Sequence, residues 1–289
     1  MKLNMNHLAL ILDGNRRWGK AHGLKVNVDL YNRSSLFGLD VAEAAFDRGI
    51  DNLTIWIGSV SNLTKRPALE IKALNKAYKK FFADPNNSDF AHQRQIKFDC
   101  FGRWRELLEP TTVRVIEKAI ADTAQYANSG RRLTVLLGYD GTDERGAALK
   151  KVLEEQSNTL SETVNNEASL TSFVKAGLAP NRQTVDDEAK RGGDGLDGRM
   201  LDEAGQVPGG LVAYAQLLRV NSWTGHLPDV DLIIRTGCAA DPHNSAGFLS
   251  MLADNTQYAF LETLWPDFTP KMLHQILDDF ATRERRMGK

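Results

Sequence analysis

Short apolar runs alternate with stretches of helical spacing along most of this chain, and that alternation is what most narrows its possible folds. The runs are His7–Leu12, Asn52–Ile57, Ile96–Phe101, Arg132–Leu137, Asp231–Ile234 and Tyr258–Leu261. Several are apolar at successive positions, as strands covered on both faces are. Between them, Leu36–Asp47, Ala68–Phe82, Arg105–Asn128 and Thr142–Glu155 carry apolar residues at helical spacing, and Lys271–Lys289 reads as an amphipathic helix. The pattern predicts an α/β fold, a central and mainly parallel six-stranded sheet with helices on both faces. Ligands of such sheets gather at the carboxyl ends of the strands. Polar, glycine-bearing sequence follows the apolar run at Asp13–Asn15, Gly58–Asn62, Gly138–Gly141 and Arg235–Gly237, so these ends form one candidate site.

The 289 residues are enough to bury a sizeable core, and a single domain over 1–289 is expected. A polar stretch at about 156–210, glycine-rich at Arg191–Gly198 and Pro208–Gly210, interrupts it and reads as a loop or lid. The net charge of -1 gives no global field for nucleic acid or an anionic membrane, so any anion site must be local. Cys100 and Cys238 lie far apart, without ligand-spaced neighbours, and are expected to be free thiols in a reducing compartment. No run approaches the ~18 apolar residues of a membrane span. Met1–Asn6 lacks the charged-then-apolar order of a signal peptide, and the cytoplasm is the expected address. The histidines show no metal-ligand spacing. There is no Gly-x-Ser-x-Gly elbow, dinucleotide fingerprint or Walker loop.

The first strand end carries the most chemistry. An apolar run stops at Asp13, followed by Gly14, Asn15, Arg16, Arg17 and Trp18. A glycine lets backbone approach a ligand closely, and the amides of the following turn suit an anion. Arg16 and Arg17 are charge-assisted donors matched to phosphate oxygens. A carboxylate among such groups repels a phosphate unless a cation lies between, so Asp13 points to Mg²⁺ held by one carboxylate plus substrate phosphates. The alternative is that Asp13 merely caps a helix beginning at Asn15.

The segment Asp13–Trp18 resembles the first signature of the cis-prenyltransferases, the family of undecaprenyl diphosphate synthase. Ser59–Asn62 with Arg66-Pro67 resembles the second, and Asp229–Gly237 the family's Asp-Leu-Ile-Arg-Thr-Gly segment. Leu264–Phe268 is similar to the terminal signature, while Phe101–Arg103 and Leu137–Gly141 fit intermediate segments more loosely. The resemblance follows family order over nearly the whole chain outside the glycine-rich stretch. It implies a parallel-sheet domain, usually a homodimer, with an apolar tunnel for a prenyl chain. It also implies an allylic diphosphate and Mg²⁺ on the loop Asp13, Gly14, Asn15, Arg16 and Arg17. Ser59, Asn62 and Arg66 fall where the family contacts the reacting end of the donor, and Arg235 where it grips the second diphosphate.

Departures from the family pattern narrow the expectation. Where the family has an Arg and a His for the donor diphosphate, this chain has Asn27 and Tyr31, with Arg33 nearby as a substitute ligand or a solvated helix residue. Leu63 replaces an aromatic and Ser61 an acidic residue. Counting back from Trp265, the acceptor Arg, Ser and Glu become Asn244, Ala246 and Gln257, although a local shift would return His243 to the Arg position. Each lost charge-assisted contact costs ~1.5–3 kcal/mol. The expected function is therefore transfer of a short prenyl group, dimethylallyl or geranyl, to a non-phosphorylated aromatic acceptor, as in specialised-metabolism members of the family. The alternatives are a short-chain, branched or cyclic isoprenyl diphosphate synthase on the same donors, and a non-catalytic partner subunit. Tyr139 and Asp140 are candidates to orient the acceptor, with ordinary packing as the other reading. Trp18, directly after the phosphate loop, is the tryptophan singled out for the substrate pocket.

Overall fold

The computed structural model describes residues 5–25, 28–164 and 210–283, without the side chains of 28–29, 32–37, 156–164 and 210–211. Strands β1 (His7–Ile11), β2 (Asn52–Ser59), β3 (Lys97–Phe101), β4 (Arg132–Tyr139), β5 (Leu232–Arg235) and β6 (Gln257–Phe260) form one six-stranded sheet. Its order is β3-β4-β2-β1-β5-β6, and every pairing is parallel, as the apolar runs predict. Strands β2 and β4 run on past their apolar stretches to Ser59 and Tyr139, because Gly58 and Gly138 interrupt the apolar pattern without ending the ladder. The β2–β4 register shifts at Gly58, a bulge that re-aims the end of β2.

The helices are α1 (Asn15–Ala21), α2 (Val28–Asp47), α3 (Val60–Thr64), α4 (Ala68–Ala83), α5 (Pro85–Gln93), α6 (Trp104–Leu107), α7 (Pro110–Asp122), α8 (Gly141–Val164), α9 (Gly210–Asn221) and α10 (Pro270–Thr282). The single helix expected over Arg105–Asn128 is broken. Leu108 and Glu109 are extended, and Pro110 opens α7 at a position where its missing N–H costs nothing. Residues 1–144 with 223–289 form one compact unit and residues 145–222 another. The glycine-rich part of the stretch at 156–210 lies outside the described residues.

Both faces of the sheet are covered, which is why β1 is buried at every position. Leu8, Leu10, Leu53, Ile55, Leu232 and Ile234 pack with Val41 and Phe46 of α2 and Leu273, Leu277 and Phe280 of α10. Their alternates Ala9, Ile11, Trp56 and Ile233 pack on the other face with Tyr139, Phe248, Leu249 and Leu252. Each fully buried leucine contributes ~1.5–3 kcal/mol of transfer free energy, so the period-two pattern fixes the register firmly. After β1 the chain adds β2 on one side, and after β4 it crosses to β5 on the other. That reversal leaves a crevice at the carboxyl end of β1.

Candidate active site

The loop leaving β1 turns sharply at Gly14, whose φ is 108°. A Cβ there would stand 2.7 Å from Leu264 Cδ2, so only glycine fits. Helix α1 begins at Asn15 with Gly14 as its N-cap and no side-chain cap. Asp13 is thus not spent as a helix cap. Its Oδ1 accepts a hydrogen bond from Arg17 Nη2 at 3.3 Å, and its Oδ2 one from Arg235 Nη2 at 3.0 Å. Thr236 joins the ends of β1 and β5, accepting from the Asp13 N–H at 3.0 Å and donating to the Asp13 carbonyl at 2.8 Å. Gly237 leaves room for Arg17, because a Cβ there would come 2.6 Å from Arg17 Nη2.

These groups rim a cavity of about 450 Å³. Its mouth is polar, formed by Asp13, Arg16, Arg17, Asn62, Arg66 and Arg235, with Gly14, Asn15 and Ser59 also on its wall. Its interior is apolar, walled by Leu39, Ile55, Leu74, Phe81, Leu133 and Val135 from α2, α4, β2 and β4. The volume falls in the usual range of small-ligand sites, about 300–1,000 Å³.

Arg66 is held by a cluster that the sequence reading missed. Its Nη1 donates to Glu70 Oε1 at 2.7 Å and to the Tyr31 hydroxyl at 3.1 Å, and that hydroxyl donates to the same Glu70 oxygen at 2.7 Å. Arg16 Nε lies 4.0 Å from Glu70 Oε1. Burial, reinforced by the hydrogen bond to Glu70, keeps the Tyr31 hydroxyl protonated well above the ordinary phenol range. The available signal was the spacing of Arg66 and Glu70, four residues apart at the start of a helix.

Arg235 is anchored on the other side by the His243 carbonyl, to which its Nη1 donates at 2.9 Å. Among the described residues, Arg66 Nε, Arg235 Nε and Asn15 Oδ1 are buried and find no hydrogen-bond partner. Two cationic donors and one acceptor therefore stand unsatisfied in residues that line a single cavity.

Ser59 and Asn62 form a reciprocal capping box at the start of α3. The Ser59 hydroxyl accepts from the Asn62 N–H at 3.1 Å, and Asn62 Oδ1 accepts from the Ser59 N–H at 3.2 Å. The box fixes the Asn62 amide so that its NH₂ is left for other partners.

Several sequence expectations need correction. Trp18 is not on the cavity wall; its indole N–H donates to Asp267 Oδ1 at 2.7 Å and its ring stacks on His22. Tyr139 is fully buried on the opposite face of the sheet from the α2 core. Its hydroxyl donates to Glu144 and accepts from the Leu249 N–H, so it holds a loop instead of touching the cavity. Ser245, not the counted Ala246, lines the cavity. The chain turns there through Ala246 at φ 46°. Gln257 lies at the amino end of β6, in the rung of Leu232 and not that of Arg235, and it accepts from Arg283. Within one chain it stands about 10 Å down the strand from the site. Asn27 and the Arg33 side chain lie outside the described residues.

For magnesium, the donor set fits on one condition. Among the described residues no three acidic, histidine or cysteine groups converge as a cage. Asp13 does present a carboxylate that is 40% exposed at the mouth. One protein carboxylate completed by substrate phosphates suits this ion, so the residues fit a metal that arrives with a diphosphate.

The profile of the family described as putative undecaprenyl diphosphate synthase matches residues 11–288. The isoprenyl transferase of Brucella suis is 29% identical over 98% of this chain and 89% of its own length. That of Aquifex aeolicus is 25% identical over 98% and 95%. In structure, lavandulyl diphosphate synthase from Lavandula x intermedia aligns over the whole of both chains with a TM-score of 0.73 at 21% identity. A probable undecaprenyl diphosphate synthase from Campylobacter jejuni aligns over 99% of each chain with a TM-score of 0.63 at 19% identity. With the signatures of β1 and β5 converging on this cavity and nearly the full length matched, the chain belongs to the undecaprenyl diphosphate synthase family of cis-prenyltransferases.

Proposed function

We propose that this chain transfers the prenyl group of dimethylallyl or geranyl diphosphate to an aromatic acceptor that carries no phosphate. The observation behind this reading is the amphipathic cavity, with arginines gathered at its mouth and an apolar interior. A donor diphosphate at Arg16, Arg17 and Arg66 would leave its prenyl chain pointing at Leu74, Phe81 and Val135. The structure of the lavandulyl diphosphate synthase that shares this fold contains dimethylallyl diphosphate, which supports a short donor.

The reaction breaks the allylic C–O bond, and the electron pair leaves with the diphosphate. Arginines at the mouth would stabilise that charge, and the apolar interior would shield the carbocation-like allyl group from water. Magnesium, held by Asp13 and the phosphates, would supply further neutralisation of the leaving group. An electron-rich ring then attacks the allylic carbon and passes its displaced proton to the departed diphosphate. Asn244 in place of an arginine disfavours a second diphosphate as acceptor, and its Nδ2 is already given to the Phe248 carbonyl.

Ser245 favours a second reading. A hydroxyl-bearing residue does line the cavity that Arg235 also lines, so isopentenyl diphosphate as acceptor and a short or branched prenyl diphosphate as product stays in competition. Mass spectrometry of products decides between them. Purified chain and Mg²⁺ would receive each donor with isopentenyl diphosphate or with a panel of phenols and indoles. A prenylated ring is the expected product; a longer prenyl diphosphate would replace the first reading with the second. The same preparation, weighed by light scattering, tests the homodimer that the family resemblance implies.

A further inference from the structure

We propose that the outer face of α4 is a docking surface for an anionic lipid bilayer. This helix has two faces of opposite character. Inward, Leu74, Tyr78 and Phe81 wall the cavity. Outward, Lys72, Lys76, Lys79 and Lys80 are all exposed, and they continue a stripe begun by exposed Lys65 and by Leu69, which is 84% exposed. The spacing of three to four residues puts Leu69, Lys72, Lys76, Lys79 and Lys80 on one side of the helix, with Lys65 just before it.

Nothing within the described residues balances that charge. Lys97, Lys118, Lys150 and Lys151 each have a carboxylate within 4.0 Å, whereas none of the stripe lysines has one. The acidic residue of α4, Glu70, is buried against Arg66. Lys72 with Lys76 and Lys76 with Lys80 are like charges one turn apart, an arrangement that destabilises a helix. The helix dipole rewards cations in the last turn, which accounts for Lys80 but not for Lys72, Lys76 and Lys79. A chain of net charge -1 therefore concentrates unpaired positive charge on the helix that covers its cavity.

Two features select a bilayer over other polyanions. An exposed leucine among lysines suits the boundary of headgroups and acyl chains and gains nothing from nucleic-acid phosphates. The second feature rests on the proposed function: an apolar prenyl chain in the cavity is a ligand that partitions into lipid, and a wall helix seated on the bilayer shortens its route.

The test is co-sedimentation of the full chain with phosphatidylcholine vesicles, with and without phosphatidylglycerol, at low and high salt. Each lysine near an anionic surface contributes about fivefold to partitioning. Binding is expected only to the phosphatidylglycerol vesicles and should weaken with salt. The triple variant Lys72→Gln, Lys76→Gln, Lys79→Gln should lose on the order of 100-fold, Leu69→Asn less, and Lys118→Gln nothing. Equal binding to both vesicle types, an unchanged triple variant, or equal lysine-dependent capture by duplex DNA would each overturn the proposal. Titration with geranyl thiodiphosphate reports separately on the donor site. Failure there with lysine-dependent vesicle binding intact would sink the proposed function and leave the docking face standing.

Discussion

Arg66 and Arg235 enter the mouth of the cavity from opposite sides of β1, and they are held in opposite ways. Arg66 leans on a carboxylate and a phenol that are themselves buried, Glu70 and Tyr31. Arg235 is the more buried arginine, with its side chain 8% exposed, yet its charge partner Asp13 is 40% exposed and shared with Arg17. A buried partner cannot leave without stranding a charge in low dielectric. A half-exposed one can turn more easily, because water already solvates it, while Arg235 keeps the His243 carbonyl. The site thus combines a fixed corner, suited to gripping a diphosphate in one pose, with an adjustable corner whose carboxylate is free to turn toward a cation.

Asp13→Ala probes the adjustable corner and should have the largest effect on activity. Loss of a group that stabilises the leaving charge lowers kcat by about 10²–10³. Thermal stability should fall modestly, by about 1–2 kcal/mol, because Arg235 loses one of its two partners while the exposed Asp13–Arg17 pair contributes little. Steady-state rates of prenyl transfer with and without Mg²⁺ check the first expectation, and a melting curve checks the second. Transfer that survives the change would remove Asp13 from the chemistry.

Glu70→Ala makes the complementary test, with its main effect on stability. It strands Arg66, and breaking such a pair costs about 3 kcal/mol, at the low end because Arg66 keeps 18% of its side chain in water. Glu70→Gln retains an oxygen for the Tyr31 hydroxyl and should cost about half as much. Urea unfolding measures both. If Glu70→Ala unfolds no more easily than Asp13→Ala, the contrast between a fixed and an adjustable corner fails.

The two corners were also unequally legible in the sequence. The adjustable one was largely visible, because an apolar run that ends in Asp13-Gly14 with Arg16 and Arg17 following carries its chemistry in contiguous residues. Arg235 likewise ends an apolar run, and the parallel order places it beside Ile11. The fixed corner was only half visible, since Tyr31 and Glu70 are 39 positions apart and meet through the packing of α2 on α4. Aromatic residues misled in the same way. Trp18 and Tyr139 sit where a ligand-facing side chain was expected, but sequence position at an element's end does not say which way a side chain points, and both hydrogen-bond elsewhere. In the loop after β5, counting residues put Ala246 at the wall, and a left-handed turn brought Ser245 there.

The smallest effect belongs to Tyr31→Phe, and its pH dependence makes it informative. Removing the hydroxyl leaves Arg66 and Glu70 still paired, so the cost near pH 8 should be about 1 kcal/mol. The fold raises the phenol above its ordinary value of 10.0, so above pH 10 the unfolded chain releases a proton that the folded chain retains. Stability from this group is then lost as pH rises, by about 1.4 kcal/mol per pH unit. The variant has no such proton to retain, so its deficit against the parent should close by about pH 11. Tyr78 and Tyr258 are also raised, through burial, and keep a downward slope in both proteins. Urea unfolding of parent and variant at pH 8, 10 and 11 is the measurement. A deficit that persists unchanged across this range would mean that the Tyr31 proton is not held by Glu70, and the fixed corner would reduce to the Arg66–Glu70 pair alone.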